Sequence, residues 1–199
     1  MTTWERLASV TAGGSTTTIT TGTITARKHL HVEVKVLAGA SGGQNELNFN
    51  TDTGNNYSMR LSDDGGSDGT SYTSQDNAII GDTDNHDCLC VADIINIISS
   101  EKLYISHSVR RMTSGAGTVP QRTEIVGKWA NTSAQITNIT YQTELAGNIA
   151  SGTIMTVWGS DDPVETTLNL PAGTIFEQTD DYKYYMWDGT DTWTVMVAN

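Results

Sequence analysis

Residues 29–37 carry the clearest alternation of hydrophobic and polar positions in the chain, in the sequence His-Leu-His-Val-Glu-Val-Lys-Val-Leu. The apolar positions are Leu30, Val32, Val34 and Val36. The polar positions are His29, His31, Glu33 and Lys35. Since successive side chains of a strand point to opposite faces, this period of two predicts a half-buried β-strand.

Ten further segments have a strand pattern and are separated by turns rich in Gly, Ser, Asp and Asn. They are residues 4–11, 17–25, 45–50, 56–61, 77–81, 87–98, 102–112, 122–130, 135–145 and 152–159. Their spacing favours an antiparallel β-sandwich over alternating strands and helices. Residues 91–100 would also give one helical face of isoleucines, but their β-branched content favours a strand.

A turn is predicted between Phe49 and Tyr57, where the sequence reads Asn-Thr-Asp-Thr-Gly-Asn-Asn. Asn and Asp are common in turns because their short side chains bond to nearby backbone groups. The segment is therefore interpreted as a connection between adjacent strands rather than as a recognition loop.

The sequence changes character after Gly159, and we expect two parts, residues 1–159 and residues 160–199. A short acidic break is followed by an aromatic run, by Asp188-Gly189 and by Trp193. The Asp-Gly pair between apolar runs predicts a β-hairpin. A module of this size needs a partner to bury its aromatic side chains.

The charge balance excludes some classes of partner. Eleven Lys and Arg against 23 Asp and Glu give a formal net charge of −12, which repels phosphate backbones and anionic lipid surfaces. The chain begins without the pattern of a secretory signal and contains no apolar run long enough to span a membrane. We therefore expect no nucleic-acid or membrane partner, and synthesis in a cytoplasm.

The sequence also lacks several common catalytic motifs. It contains no phosphate-binding Gly-rich loop with Lys and no His-Glu-x-x-His, and Gly-x-Ser-x-Gly occurs only in two Gly- and Ser-rich predicted turns, at residues 39–43 and 65–69. The expectation is a protein that is not an enzyme, with no catalytic residue and no resident cofactor.

One acidic loop is a candidate calcium site. Asp82, Asp84 and Asp87 gather hard oxygen ligands within a few residues, as calcium requires. The loop lacks the spacing of an EF-hand, and an ordinary solvated turn explains the same residues. Both interpretations remain open.

Histidine and cysteine pairs give two weaker metal hypotheses. His29 and His31 share a strand face and could bind a transition metal with a third ligand, or they could belong to a polar outer face. Cys88 and Cys90 are two residues apart in a predicted strand, which makes a mutual disulfide awkward. We expect them to be free, buried thiols.

Five aromatic residues near the C-terminus are candidate interface residues, together with Trp4. They are Tyr182, Tyr184, Tyr185, Trp187 and Trp193. Planar rings of this kind can stack on sugars, or they can form cross-strand pairs inside a hairpin.

Several segments together resemble virion surface proteins of tailed bacteriophages. They are Trp4-Glu5-Arg6-Leu7, Ala26-Arg27-Lys28-His29-Leu30, Leu47-Asn48-Phe49-Asn50 with Asn56-Tyr57, Lys128-Trp129-Ala130-Asn131, Gly173-Thr174-Ile175-Phe176-Glu177, Lys183-Tyr184-Tyr185, and Trp187-Asp188-Gly189 with Trp193. The resemblance implies a jelly-roll-type β-sandwich in residues 1–159 and a small β-hairpin arm in residues 160–199. It also implies a homotrimer, or a repeated surface subunit.

The function that this resemblance implies is structural. The expected protein decorates or cements a phage capsid, or forms a head fibre, through contacts with its own copies and with the major capsid protein. The alternative is a receptor-binding module of a tail fibre or baseplate that recognises a host-surface glycan. The motifs are made of turn and core residues, so the resemblance transfers no site residue.

Overall fold

The computed structural model describes residues 3–39, 43–82, 85–145, 147–161, 172–178, 183–188 and 193–196. Within these ranges the chain forms fourteen strands and no helix. The strands are β1 (Glu5–Thr11), β2 (Thr18–Thr20), β3 (His29–Val36), β4 (Gln44–Phe49), β5 (Tyr57–Asp63), β6 (Ala78–Asp82), β7 (Cys88–Ile95), β8 (Lys102–Arg110), β9 (Gln121–Trp129), β10 (Ile139–Thr143), β11 (Ile154–Ser160), β12 (Ile175–Gln178), β13 (Lys183–Trp187) and β14 (Trp193–Met196).

The strands form three antiparallel sheets in two compact units. One unit contains a seven-stranded sheet, in the order β1-β11-β3-β7-β8-β9-β5, and a four-stranded sheet, in the order β2-β10-β4-β6. The other unit contains the three-stranded sheet β12-β13-β14. The prediction of an all-β, antiparallel β-sandwich is confirmed.

The core of the larger unit is formed by inward-facing side chains of the two sheets. The alternation predicted for residues 29–37 is present in β3, where the apolar positions are buried and the polar ones point outward. Phe49, Tyr57 and Trp129 form an aromatic cluster, with the Tyr57 and Trp129 rings stacked at 6.2 Å. Such pairs contribute beyond their buried area.

Residues 91–100 contain no helix, so the helical alternative for this segment is wrong, and the strand prediction holds only as far as Ile95. The next residue, Asn96, is fully buried. Its side-chain amide donates to the carbonyl of Arg27 at 2.9 Å, and its carbonyl oxygen accepts from the backbone N–H of Ile136 at 2.6 Å. Three separate chain segments are thereby tied together.

The free edge of the four-stranded sheet is satisfied by side chains of the other sheet. The hydroxyl of Tyr104 donates to the carbonyl of Ile79 at 3.1 Å, and that of Ser106 donates to the carbonyl of Ile80 at 2.7 Å. Gly127 makes room for this contact, since a Cβ there would lie 2.3 Å from the Tyr104 ring. The edge of β6 is therefore hydrogen-bonded against the inner face of β8.

Asp52 organises the predicted turn between β4 and β5. Its carboxylate accepts hydrogen bonds from the Trp129 indole at 2.7 Å, from the backbone N–H of Gly54 at 2.9 Å, and from the Asn56 amide. The Tyr57 hydroxyl donates to its backbone carbonyl at 3.1 Å. The turn residues therefore hold the aromatic cluster, as the interpretation of this segment as a strand connection requires.

We expect Asp52→Asn to lower the free energy of unfolding by about 1–3 kcal/mol near neutral pH, because charge-assisted hydrogen bonds are lost. Burial raises the pKa of this carboxyl, but the hydrogen bonds from Trp129, Gly54 and Asn56 outweigh burial and hold the pKa below its ordinary value. A lowered pKa gives stability that is present above the unfolded pKa and is lost as pH falls through the folded pKa.

Urea denaturation of both proteins across pH is the measurement. The difference between wild type and Asp52→Asn should shrink as the solution is acidified. Asp68→Asn is the matched control, because Asp68 pairs only with exposed Arg60 in the described contacts, and its change should stay within about 0.5 kcal/mol. Equal effects of the two substitutions would contradict this role of Asp52.

The contribution of Glu46 to the free energy of unfolding should depend on pH with the sign opposite to that of Asp52. Its side chain is buried on β4 and accepts a hydrogen bond from the Gln142 amide at 3.1 Å. Burial raises the pKa of Glu46, and the bond from Gln142 offsets this only in part. A raised pKa gives stability that is fully present below the unfolded pKa and is lost as pH rises through the folded pKa.

We therefore expect Glu46→Gln to gain stability relative to wild type as pH rises, by on the order of 1 kcal/mol at neutral pH, because a buried charge is removed. Thermal unfolding of both proteins in parallel buffers measures the difference. A wild-type protein that becomes more stable than Glu46→Gln with rising pH would show that the buried carboxylate is compensated.

Candidate functional site

The outward-facing side of the seven-stranded sheet carries six exposed hydrophobic side chains, here called the apolar strip. Each side chain is 42–53% exposed. The apolar strip consists of Leu89, Ile95, Leu103, Ile105, Val109 and Val126. Antiparallel pairing places Ile105 directly opposite Val126, and Leu89 directly opposite Val109, and His107 lies between the two pairs on β8.

Strand β8 explains why this surface exists. Its buried positions are Lys102, Tyr104, Ser106 and Ser108, whereas Leu103, Ile105 and Val109 face outward. The strand is thus inverted, with its more polar side in the interior. The buried polar groups make hydrogen bonds. The Lys102 ammonium donates to the carbonyls of Ser100 and Asn131, and the hydroxyls of Tyr104 and Ser106 donate to backbone carbonyls of β6.

The outer face is nearly neutral, although the chain is strongly acidic. Strands β3, β5, β7, β8 and β9 present four basic and three acidic residues on it. The basic residues are Lys35, Arg60, Arg122 and Lys128, and the acidic residues are Glu33, Asp93 and Glu124. The formal charge of −12 is therefore concentrated elsewhere.

A groove of about 780 Å³ lies over four of the six residues of the apolar strip. Its lining includes Ile95, Leu103, Ile105 and Val126 as well as Trp4. The Trp4 side chain is half exposed, and its ring packs edge-on against His31 with centroids 6.1 Å apart. The structure thus brings the predicted interface residue Trp4 next to hydrophobic residues that the sequence analysis did not select.

The other predicted interface residues belong to the three-stranded sheet. Trp187 and Trp193 are directly opposite each other on β13 and β14, with ring centroids 5.3 Å apart at 48°. Tyr185 is opposite Val195, and Tyr184 lies in β13 opposite Met196. Tyr182 lies outside the described residues. The two indole rings thus form a cross-strand pair, which was one of the two alternatives for these residues. Stacking of a glycan on them stays a prediction.

The candidate calcium ligands that the structure describes are paired with arginines. Asp82 lies 2.5 Å from the Arg110 guanidinium, and Asp87 lies 3.0 Å from that of Arg111. Asp84 is outside the described residues. Across the described ranges, no group of three His, Cys, Asp or Glu side chains is placed to hold a metal ion. Calcium binding by the complete loop stays a prediction.

The predicted histidine and cysteine pairs have different surroundings. His31 points outward, and its Nδ1 atom lies 2.7 Å from the Asp93 carboxylate. Cys88 and Cys90 are buried and free, with sulfur atoms 3.8 Å apart, as predicted for two thiols on one strand face. The contact with Cys88 and complete burial raise the pKa of the Cys90 thiol, which keeps it protonated and unreactive.

No protein family, curated protein or solved structure was found to match the chain. A search of the described residues for a helix that is long and apolar enough to cross a membrane found none. Functional inference therefore rests on the outer face of the seven-stranded sheet and on the resemblance in the sequence.

Proposed function

We propose that the protein is a non-enzymatic structural subunit of a virion, which forms a homotrimer through the apolar strip and decorates or cements a phage capsid. The observation that carries this proposal is the inverted strand β8. The buried polar side chains of β8 are needed for the fold of a single chain. The fold of a single chain does not need hydrophobic residues at the outward-facing positions of Leu103, Ile105 and Val109. Hydrophobic surface of this kind is characteristic of protein contacts.

The composition of the apolar strip fits a subunit interface. Its six side chains are each 42–53% exposed, and the core of a protein interface is enriched in apolar side chains and depleted in charged ones. The near balance of charge on the outer face favours a second copy as the partner, because two acidic chains can approach there without strong repulsion.

The strand pairing supports the jelly-roll part of the proposal. Without β5, β8 and β9, the larger unit has eight strands. Taken in chain order, the first of these strands pairs with the eighth, the second with the seventh, the third with the sixth and the fourth with the fifth. These pairs are β1 with β11, β2 with β10, β3 with β7, and β4 with β6. A long antiparallel ribbon wound into two four-stranded sheets gives this order, and that winding is the jelly roll.

The three-stranded sheet supplies a second surface for contacts within the particle. Ile175, Met186 and Met196, which the strand register places on one face, are each 41–56% exposed. A sheet this small gains stability by burying a face against another surface. We assign this surface to contacts in the virion, with the major capsid protein or with neighbouring copies.

The oligomeric state tests the assembly role. Sedimentation velocity and light scattering should give a trimer for the wild type, and Ile105→Asp should dissociate it. A charge buried without a partner in an interface costs about 2–5 kcal/mol, which weakens association by roughly 30-fold to several thousand-fold. Circular dichroism should show that the Ile105→Asp chain keeps its fold.

Val119→Asp is the matched control, because Val119 is 80% exposed and lies in the loop between β8 and β9, outside the apolar strip. This variant should remain trimeric. A wild-type protein that is monomeric at tens of micromolar, or an Ile105→Asp protein that remains trimeric, would overturn assembly through the apolar strip.

A further inference from the structure

A second depression lies on the outer face, over strands β3 and β11. It has a volume of about 440 Å³ and is lined by Trp4, His31, Glu33 and Trp158. It shares Trp4 with the groove over the apolar strip, but none of the six strip residues lines it. Two tryptophans and two polar side chains therefore meet in one small pocket, here called the tryptophan pocket.

Three of the four lining residues of the tryptophan pocket lie on paired strands, and Trp4 directly precedes β1. Trp158 of β11 is directly opposite His31 of β3 in the antiparallel pair. Both strands lie inside the seven-stranded sheet, because β11 also pairs with β1 and β3 also pairs with β7. Side chains on interior strands are held in place before a ligand arrives, and this reduces the entropy lost on binding.

One polar group of the pocket, the His31 imidazole, is held by a hydrogen bond. The hydrogen bond between Nδ1 of His31 and Asp93, at 2.7 Å, sets the orientation of the imidazole ring. The opposite nitrogen, Nε2, lies 3.6 Å from a carboxylate oxygen of Glu33. The Trp4 ring stands at 72° to the imidazole. The pocket therefore offers a carboxylate acceptor and an imidazole nitrogen beside aromatic walls.

This combination matches the chemistry of a pyranose sugar. A pyranose ring has an apolar C–H face that packs on an indole, and its hydroxyl groups both donate and accept hydrogen bonds. Anionic ligands such as phosphates are disfavoured by Glu33 and Asp93. A cationic ligand would have to compete with His31 for the same two carboxylates.

We propose that the tryptophan pocket binds one pyranose residue of a glycan. This inference goes beyond the structural role, because it gives the subunit a ligand. It places that ligand on the larger unit rather than on the C-terminal aromatic residues. It does not depend on trimer formation, so the two proposals can fail separately.

The test is a titration of the full-length protein with the methyl glycosides of glucose, galactose, mannose and N-acetylglucosamine, followed by ¹H–¹⁵N NMR. We expect saturable shifts for at least one sugar, centred on the indole signals of Trp4 and Trp158 and on the amides of residues 31–33. Trp158→Ala and Glu33→Gln should each weaken binding about tenfold, since the first removes the indole surface and the second removes the charge of the hydrogen-bond acceptor. Trp193→Ala is the matched aromatic control and should bind as wild type does.

Absence of saturable shifts with all four sugars would overturn the proposal. So would equal binding by wild type, Trp158→Ala and Glu33→Gln, or saturation by tetramethylammonium chloride alone. If Trp158→Ala does not fold, Glu33→Gln and the map of shifted signals decide the question. The Ile105→Asp variant should bind the sugar with unchanged affinity, which separates this result from the test of assembly.

Discussion

The free edge of β6 is the constraint on which the larger unit depends. A sheet edge that is covered by other parts of the protein must have its backbone carbonyls satisfied. Here the hydroxyls of Tyr104 and Ser106 satisfy them, so β8 must place its polar side chains inward. The same requirement demands close approach of the two sheets, and a side chain at Gly81 would collide with Ser108.

The interior and the surface of this protein are linked through that one strand. Because alternate residues of a strand face opposite ways, a β8 that directs hydroxyl groups inward directs the intervening residues outward. In this chain three of the four outward-facing residues, Leu103, Ile105 and Val109, are hydrophobic and belong to the apolar strip. The proposed interface is therefore a direct geometric result of how the two sheets meet.

The sequence predicted the β class, most of the strands and the turn at Asp52, since these depend on local alternation and on turn residues. It also predicted the inward face of β3. It did not predict the orientation of β8, because ordinary amphipathic reasoning would bury Leu103, Ile105 and Val109. The orientation of β8 is instead set by the position of the β6 edge, whose carbonyls need the hydroxyl groups of β8. The tryptophan pocket was equally hidden, since Trp4, His31 and Trp158 are far apart in sequence and meet only through the register of β1, β11 and β3.

The inversion of β8 also defines a competing state during folding. If the strand slipped by one residue against its neighbours, every side chain would move to the opposite face, and the hydrophobic residues would enter the core. The hydroxyl bonds to β6 oppose this slip, but they form only when the two sheets come together. In the proposed assembly, another subunit would cover the apolar strip and remove the advantage of the slipped register, so that association would favour the correct register of β8.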